Sequence, residues 1–144
     1  MSIIFDFFFR KTEKDFVHFR EKPASADERE IAAVIEEFMR DVNGPPHNHT
    51  HDYFTADARI RSTALGGASY TPEEVHTLKR RLDISFGDIF LDDALISVDT
   101  NGTEAHVSGA LTWGDGAFKK TSGRVFRFAH SEQWRISAVD WYAL

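Results

Sequence analysis

Three turn-forming clusters divide the last third of the chain into apolar, β-branched and aromatic runs, and nothing else in the sequence constrains the fold as strongly. The clusters are Asp99-Thr-Asn-Gly-Thr103, Trp113-Gly-Asp-Gly116 and His130-Ser-Glu-Gln133. Turn residues at this spacing predict an antiparallel meander, with strands over about 85–99, 104–113, 118–130 and 134–142. A sheet of that kind needs cover on at least one face, and the preceding residues supply it as helices. The order of elements is therefore that of an α+β domain.

The first of these helices has start and stop signals. Ser25 or Asp27 is placed to cap it, Glu28 or Glu30 stands three residues on, and Ile31, Val34, Ile35, Phe38 and Val42 recur at helical spacing. Asn43-Gly44-Pro45-Pro46 ends it, with Gly44 expected as a left-handed cap. A short second helix is expected over about 49–54, followed by a strand in which Ala58, Ile60 and Ser62 face inward and Arg59 and Arg61 outward. After Gly66-Gly67, Thr71-Pro-Glu-Glu74 forms a capping box with Pro at the first helical position, and Val75, Leu78 and Leu82 line one face of the helix it opens.

Residues 1–24 read as a separate N-terminal helix and linker. Phe5, Phe8, Phe9, Phe16 and Phe19 fall on one stripe of an amphipathic helix over residues 3–20. Asp6 interrupts the apolar run, no basic residue precedes it, and charged residues stand where a small-residue cleavage site would lie, so it does not match a secretory signal. The run is too short to span a bilayer. The expectation is that the helix docks on its own domain or on a dimer mate.

A length of 144 residues fits one domain with a single core. The net charge of −6 argues against nucleic acid, whose phosphates require a basic surface. There is no cysteine, which excludes disulfides and thiol catalysis and fits a reducing compartment such as the cytoplasm.

Residues 26–144 resemble the nuclear-transport-factor-2-like superfamily, also termed SnoaL-like or ketosteroid-isomerase-like. The resemblance rests on the capped first helix, Tyr53-Phe-Thr-Ala-Asp-Ala-Arg-Ile-Arg61, Tyr70-Thr-Pro-Glu-Glu-Val75 and Gln133-Trp-Arg-Ile-Ser-Ala-Val-Asp-Trp141, in that order. It implies a cystatin-like cone over 25–144, in which a highly curved mixed or antiparallel sheet wraps around about three helices. It also implies a pocket with one open mouth and homodimerisation through the convex sheet face. The superfamily holds isomerases, dehydratases, polyketide cyclases and non-catalytic assembly domains, so fold does not settle function.

Set on the ketosteroid-isomerase pattern, the chain carries Ser62 at the position of the carboxylate base, Phe38 near that of the helix tyrosine and Arg124 at that of the second acid. None of the three can play the corresponding part in moving a proton next to a carbonyl. The resemblance implies a pocket lined by Phe38, Ile60, Ser62, Arg124, Phe126, Val139 and Trp141, with Ser137 sharing the face of Val139 and Trp141. An apolar wall bearing one guanidinium suits a small hydrophobic or carboxylate ligand. A slip of one residue would bring Asp140 and Tyr142 inside instead.

His47, His49 and His51, followed by Asp52, are the one metal-like pattern. Alternate spacing suits ligands on an extended loop, but a solvated connection after Pro45-Pro46 accounts for it more simply, and no metal or other cofactor is expected. Three functions stay open: a small-molecule-binding cone without turnover, an isomerase, dehydratase or cyclase using a non-standard pocket set, and a non-catalytic dimeric assembly module.

Overall fold

The structure, a computed structural model, describes residues 15–44, 52–62, 66–81, 89–113 and 120–143, with the backbone alone at 120–124 and 142–143. Its elements are β1 (Val17–Phe19), α1 (Ala26–Asn43), β2 (Phe54–Ser62), β3 (Ala68–Tyr70), a 3₁₀ turn (Pro72–Glu74), α2 (Val75–Arg81), β4 (Phe90–Val98), β5 (Glu104–Trp113), β6 (Lys120–His130) and β7 (Trp134–Ala143). One seven-stranded sheet runs in the order β1-β4-β5-β6-β7-β2-β3. The β4 to β7 meander is antiparallel, while β1 joins β4 and β2 joins β7 in parallel, so the sheet is mixed. None of the described helices is long and apolar enough to cross a membrane.

α1 forms where its sequence signals place it. Ser25 Oγ accepts from Glu28 N–H at 3.0 Å and the Glu28 carboxylate accepts from Ser25 N–H at 2.9 Å, so two otherwise unpaired donors are satisfied reciprocally. These bonds also hold the Glu28 carboxyl below the usual carboxylate range. The far end departs from expectation. Gly44 has φ −95° and ψ 179°, not a left-handed cap. Pro45 follows it, and a residue before proline is pushed towards extended backbone. Two side chains take the last carbonyls instead: Asn43 Nδ2 donates to Met39 O at 2.7 Å, and Lys79 Nζ donates to Val42 O. Asn43 also exchanges two bonds with the backbone of Ile89, at 2.8 and 2.9 Å, which ties the end of α1 to the start of β4.

Ile31, Ile35, Phe38, Met39 and Val42 bury the inner face of α1 against the sheet. Phe38 is central to this layer, 1% exposed, with the rings of Tyr53, Phe54 and Phe126 edge-on to it at 6.3, 5.6 and 5.4 Å. Aromatic edges against a ring face add to the burial itself.

Two bulges set the phase of the sheet. In β4 one extra residue lies between Asp92 and Leu95, opposite Gly109 of β5. Leu91 and Ala94, three apart, are consequently both buried on the inner face. Asp93 takes φ 56° there, a left-handed conformation that Asp tolerates better than most residues. Its carboxylate accepts two bonds from Arg20, each 2.8 Å. A Cβ on Gly109 would lie 3.0 Å from Asp92 O and 2.9 Å from Leu91 Cδ1, so only glycine fits without a shift. In β7, Ser137 is the extra residue, because Arg127 pairs with Ala138 while Phe128 pairs with Ile136.

The N-terminal expectation is corrected by β1. Residues 17–19 are a strand on the edge of the sheet and not the end of a helix over 3–20, and residues 1–14 lie outside the described residues. The edge of β4 has backbone groups to pair: Leu91 N–H donates to Phe16 O and Arg20 N–H to Ala94 O, both at 2.8 Å. Val17 faces the core at 2% exposure, and Phe16 and Phe19 pack against the core's margin. A division at residue 24 therefore cuts across this sheet. Phe54 likewise opens β2 where a short helix over 49–54 was expected, and β3 has no counterpart in the sequence reading.

Replacing Phe38 by Ala should cost about 3–5 kcal/mol through lost burial and the cavity left among three rings. Thermal or urea unfolding measures it, and an unchanged midpoint would contradict α1 as the central core element.

Candidate functional site

The ends of β2, β5 and β7 and the beginnings of β4 and β6 lie at one end of the sheet, as their pairing requires. Ser62, Trp141 and Arg124 are Cα partners in one row across β2, β7 and β6, and Ile60, Val139 and Phe126 form the row before it. The fold thus brings together the backbone positions expected to line a pocket. The deeper row is closed core, with Ile60, Val139 and Phe126 each 0% exposed and Phe38 packed on Phe126.

The outer row has unused polar capacity. Ser62 is wholly buried, and Trp113 stands edge-on to Trp141 at 5.8 Å and 82°. Neither Ser62 Oγ nor Trp113 Nε1 has a hydrogen-bond partner among the described residues. A buried donor left unmatched costs about 1–3 kcal/mol. α2 contributes two more buried polar side chains, His76 and Lys79. The Lys79 ammonium sits on the Val42 carbonyl at the C-terminal end of α1, where the helix dipole favours a cation.

Phase decides the remaining candidates. The bulge at Ser137 shifts the alternation of β7, so Trp134, Ile136, Val139 and Trp141 are all buried on the inner face. Ser137 is not on that face, contrary to the strict period-two expectation, and lines the outer groove. Asp140 also points outward, with its carboxylate 33% exposed and 3.6 Å from Arg127. It does not enter the interior as the slipped register required. The side chains of Arg124 and Tyr142, and all of His47, His49 and His51, lie outside the described residues.

Two features were not legible as functional in the sequence. In the sequence Trp113 falls within the turn cluster Trp113-Gly-Asp-Gly116, and its edge-on contact with Trp141 arises from another strand. Lys79 sits in Leu78-Lys-Arg-Arg81 and reads as part of a solvated basic run, since nothing local distinguishes the one lysine that turns inward.

The outer sheet face carries a groove of about 730 Å³ whose walls include Ser97, His106, Val125, Arg127 and Ser137. A smaller cleft of about 340 Å³ runs beside α1, between Tyr53 and Trp134. Tyr53 OH donates to Asp41 Oδ2 at 2.6 Å. Burial first, then this bond and the charges of Asp41, Glu37 and Asp52, push the Tyr53 phenol far above its ordinary value.

No known family matches the sequence, and no curated protein matches it. Solved structures match the fold. An NTF2-like protein with a cystatin-like fold from Novosphingobium aromaticivorans superposes with TM-score 0.59 at 15% identity, covering 82% of this chain and 82% of that one. A candidate ketosteroid isomerase from Shewanella frigidimarina gives 0.60 at 14%, covering 88% and 98%. The association domain of Caenorhabditis elegans CaMKII gives 0.60 at 10%, covering 81% and 95%. The fold is the NTF2-like, cystatin-like α+β cone, with a curved mixed sheet.

Because the Tyr53 phenol is raised in the folded state, its contribution to stability is complete below the unfolded tyrosine value of about 10 and is lost as pH rises above it. Wild-type stability should therefore fall more steeply than that of Tyr53→Phe above that pH, by up to about 1.4 kcal/mol per pH unit. Urea titrations of both proteins at a series of alkaline pH values measure the difference in slope; parallel curves would contradict it.

Proposed function

We propose that this chain is a small-molecule-binding cone domain whose ligand enters at the end formed by Ser62, Trp113 and Trp141. The unmatched Ser62 Oγ and Trp113 Nε1 carry this reading. An indole N–H can only donate, and a serine hydroxyl can do so, which favours an acceptor-rich ligand. Arg124 occupies the third place in the Ser62–Trp141 row, and we propose that it supplies the charge. The class this selects is a small apolar or aromatic carboxylate.

The same residues argue against ketosteroid-type proton shuttling as the activity. Ser62 stands where that chemistry needs a carboxylate, and Phe38 is engaged by three rings in the core. A neighbouring fold assigned to an isomerase does not supply the missing base. Binding without that chemistry is the reading these side chains favour, in a cytoplasmic setting consistent with a chain free of cysteine.

A carboxylate should bind more tightly than its neutral amide by about 1.5–3 kcal/mol, the worth of hydrogen bonds to a charged group. Calorimetry with matched acid and amide pairs tests this. The preference should disappear in Arg124→Met, and Ser62→Ala should weaken the acid. Equal affinity for acid and amide would overturn the carboxylate reading.

We further propose a homodimer through the outer sheet face. The groove there, with the half-buried Val125 and Ala138 among its lining residues, supports it, and an association domain of this fold exists. Sedimentation equilibrium at about 10 μM, a concentration that saturates an ordinary micromolar contact, should give a dimer, and Val125→Asp should give a monomer. A monomeric wild type at that concentration would refute it.

A further inference from the structure

The cleft beside α1 differs in chemistry from the end of the sheet that carries Ser62, Trp113 and Trp141. Its floor is the stripe Glu30, Ala33, Val34 and Glu37, which helical spacing places in line on one flank of α1. Its walls include Trp134 and Tyr53, and Asp52 and the polar Gln133 complete its lining. No lining residue described is basic. Each aromatic wall is held by a carboxylate beyond the cleft: Trp134 Nε1–H donates to Asp27 Oδ1 at 3.1 Å, and Tyr53 OH to Asp41. Trp134 N–H also donates to Glu30 Oε1 at 3.3 Å. Walls fixed in this way lose little freedom when something enters between them.

The position of the acids narrows the class of occupant. Glu30 and Glu37 lie seven residues apart on one helix, a separation of about 10 Å along its axis. Glu30 already accepts from Trp134 N–H, and among the described residues no group of three or more His, Asp or Glu side chains could hold a metal ion. Between them lie the apolar Ala33 and Val34 and two ring systems, so the cleft is negative at both ends and apolar in the middle. Arg40 lies 3.5 Å from Glu37, but both side chains are more than half exposed, and an exposed pair of this kind is weak enough to exchange. About 340 Å³ holds a small molecule and not a folded peptide segment.

We propose that this cleft is a binding site for a linear aliphatic diammonium, with its chain over Ala33 and Val34 between Tyr53 and Trp134 and its two charged ends at Glu30 and Glu37. The site is independent of the proposed carboxylate pocket, from which it differs in elements, charge and ligand.

The experiment compares 1,8-diaminooctane, whose extended chain spans the two glutamates, with octylamine, 1-octanol and the shorter 1,4-diaminobutane. Calorimetry gives affinity, and the Trp134 indole N–H resonance, assigned with Trp134→Phe, reports location. The long diamine should bind tightest and shift that resonance. Loss of one ammonium, or Glu30→Gln or Glu37→Gln, should each weaken it about two- to fivefold, the range of an exposed ion pair. Arg124→Met should leave diamine binding unchanged, which separates this site from the carboxylate pocket. Octanol binding as tightly as the diamine, equal affinity for long and short diamines, or an unmoved Trp134 resonance would each overturn the proposal, and these comparisons hold in the wild-type protein even if a variant fails to fold.

Discussion

The extra residue in β4 opposite Gly109 is the constraint on which the inner face depends. Without it, strict alternation from Leu91 would send Ala94 outward, and the edge where β1 pairs would present the wrong side to the core. The left-handed Asp93 makes the bulge possible, and Arg20 holds its carboxylate with two bonds. One short sequence, Val17 to Arg20, therefore does two jobs: its backbone extends the sheet and its last side chain fixes the bulge. His18 adds a 2.6 Å contact to Asp92, whose other oxygen accepts from Thr112 at 2.9 Å, so the bend is tied across β1, β4 and β5.

With the sheet's phase set, α1 is clamped at both ends by polar groups and along its length by apolar ones. Asn43 and Lys79 hold the C-terminal carbonyls, and Asp27 and Glu30 hold Trp134 near the N-terminus. These bonds fix the helix along its axis, which ridge packing of Ile31, Ile35 and Phe38 alone does poorly, because aliphatic contacts are non-directional. They also separate two environments. The inner flank closes into core, while the flank facing Tyr53 and Trp134 keeps its glutamates outward with an apolar strip between them.

Much of this was legible in the sequence because it depends on local chemistry. The Ser25 and Glu28 box, the heptad-like apolar stripe of α1, the Thr71-Pro start before α2 and the β4 to β7 meander each follow from a few adjacent residues, and each formed. What was missed depends on partners far away in the chain. Phe16 to Phe19 fits a helical stripe in isolation and becomes a strand only because β4 has an open edge. The bulge at Ser137 has no local marker, yet it decides that Ile136 joins Val139 and Trp141 inside while Asp140 meets Arg127 outside. Of the positions expected to line a pocket, Phe38, Ile60, Phe126, Val139 and Trp141 are buried, as alternation near them predicts, while the contact of Trp113 with Trp141 joins two strands and has no local marker.

The two ends of the domain now have opposite polar complements, and this bears on how one fold can carry different activities. At the end where β2 and β7 finish, the buried side-chain atoms without a hydrogen-bond partner among the described residues include an obligate donor, the Trp113 indole, and the Ser62 hydroxyl. Beside α1 the polar lining is largely carboxylate, and two of these groups are spread along a helix face. A donor pair inside a cone stabilises negative charge, whether on a bound carboxylate or on a developing oxyanion. Turnover would in addition need a base within hydrogen-bond reach of the substrate. The row that would present it carries Ser62 on β2, with Trp141 between Ser62 and the Arg124 position. Among the described residues that row offers a hydroxyl and an indole and no carboxylate.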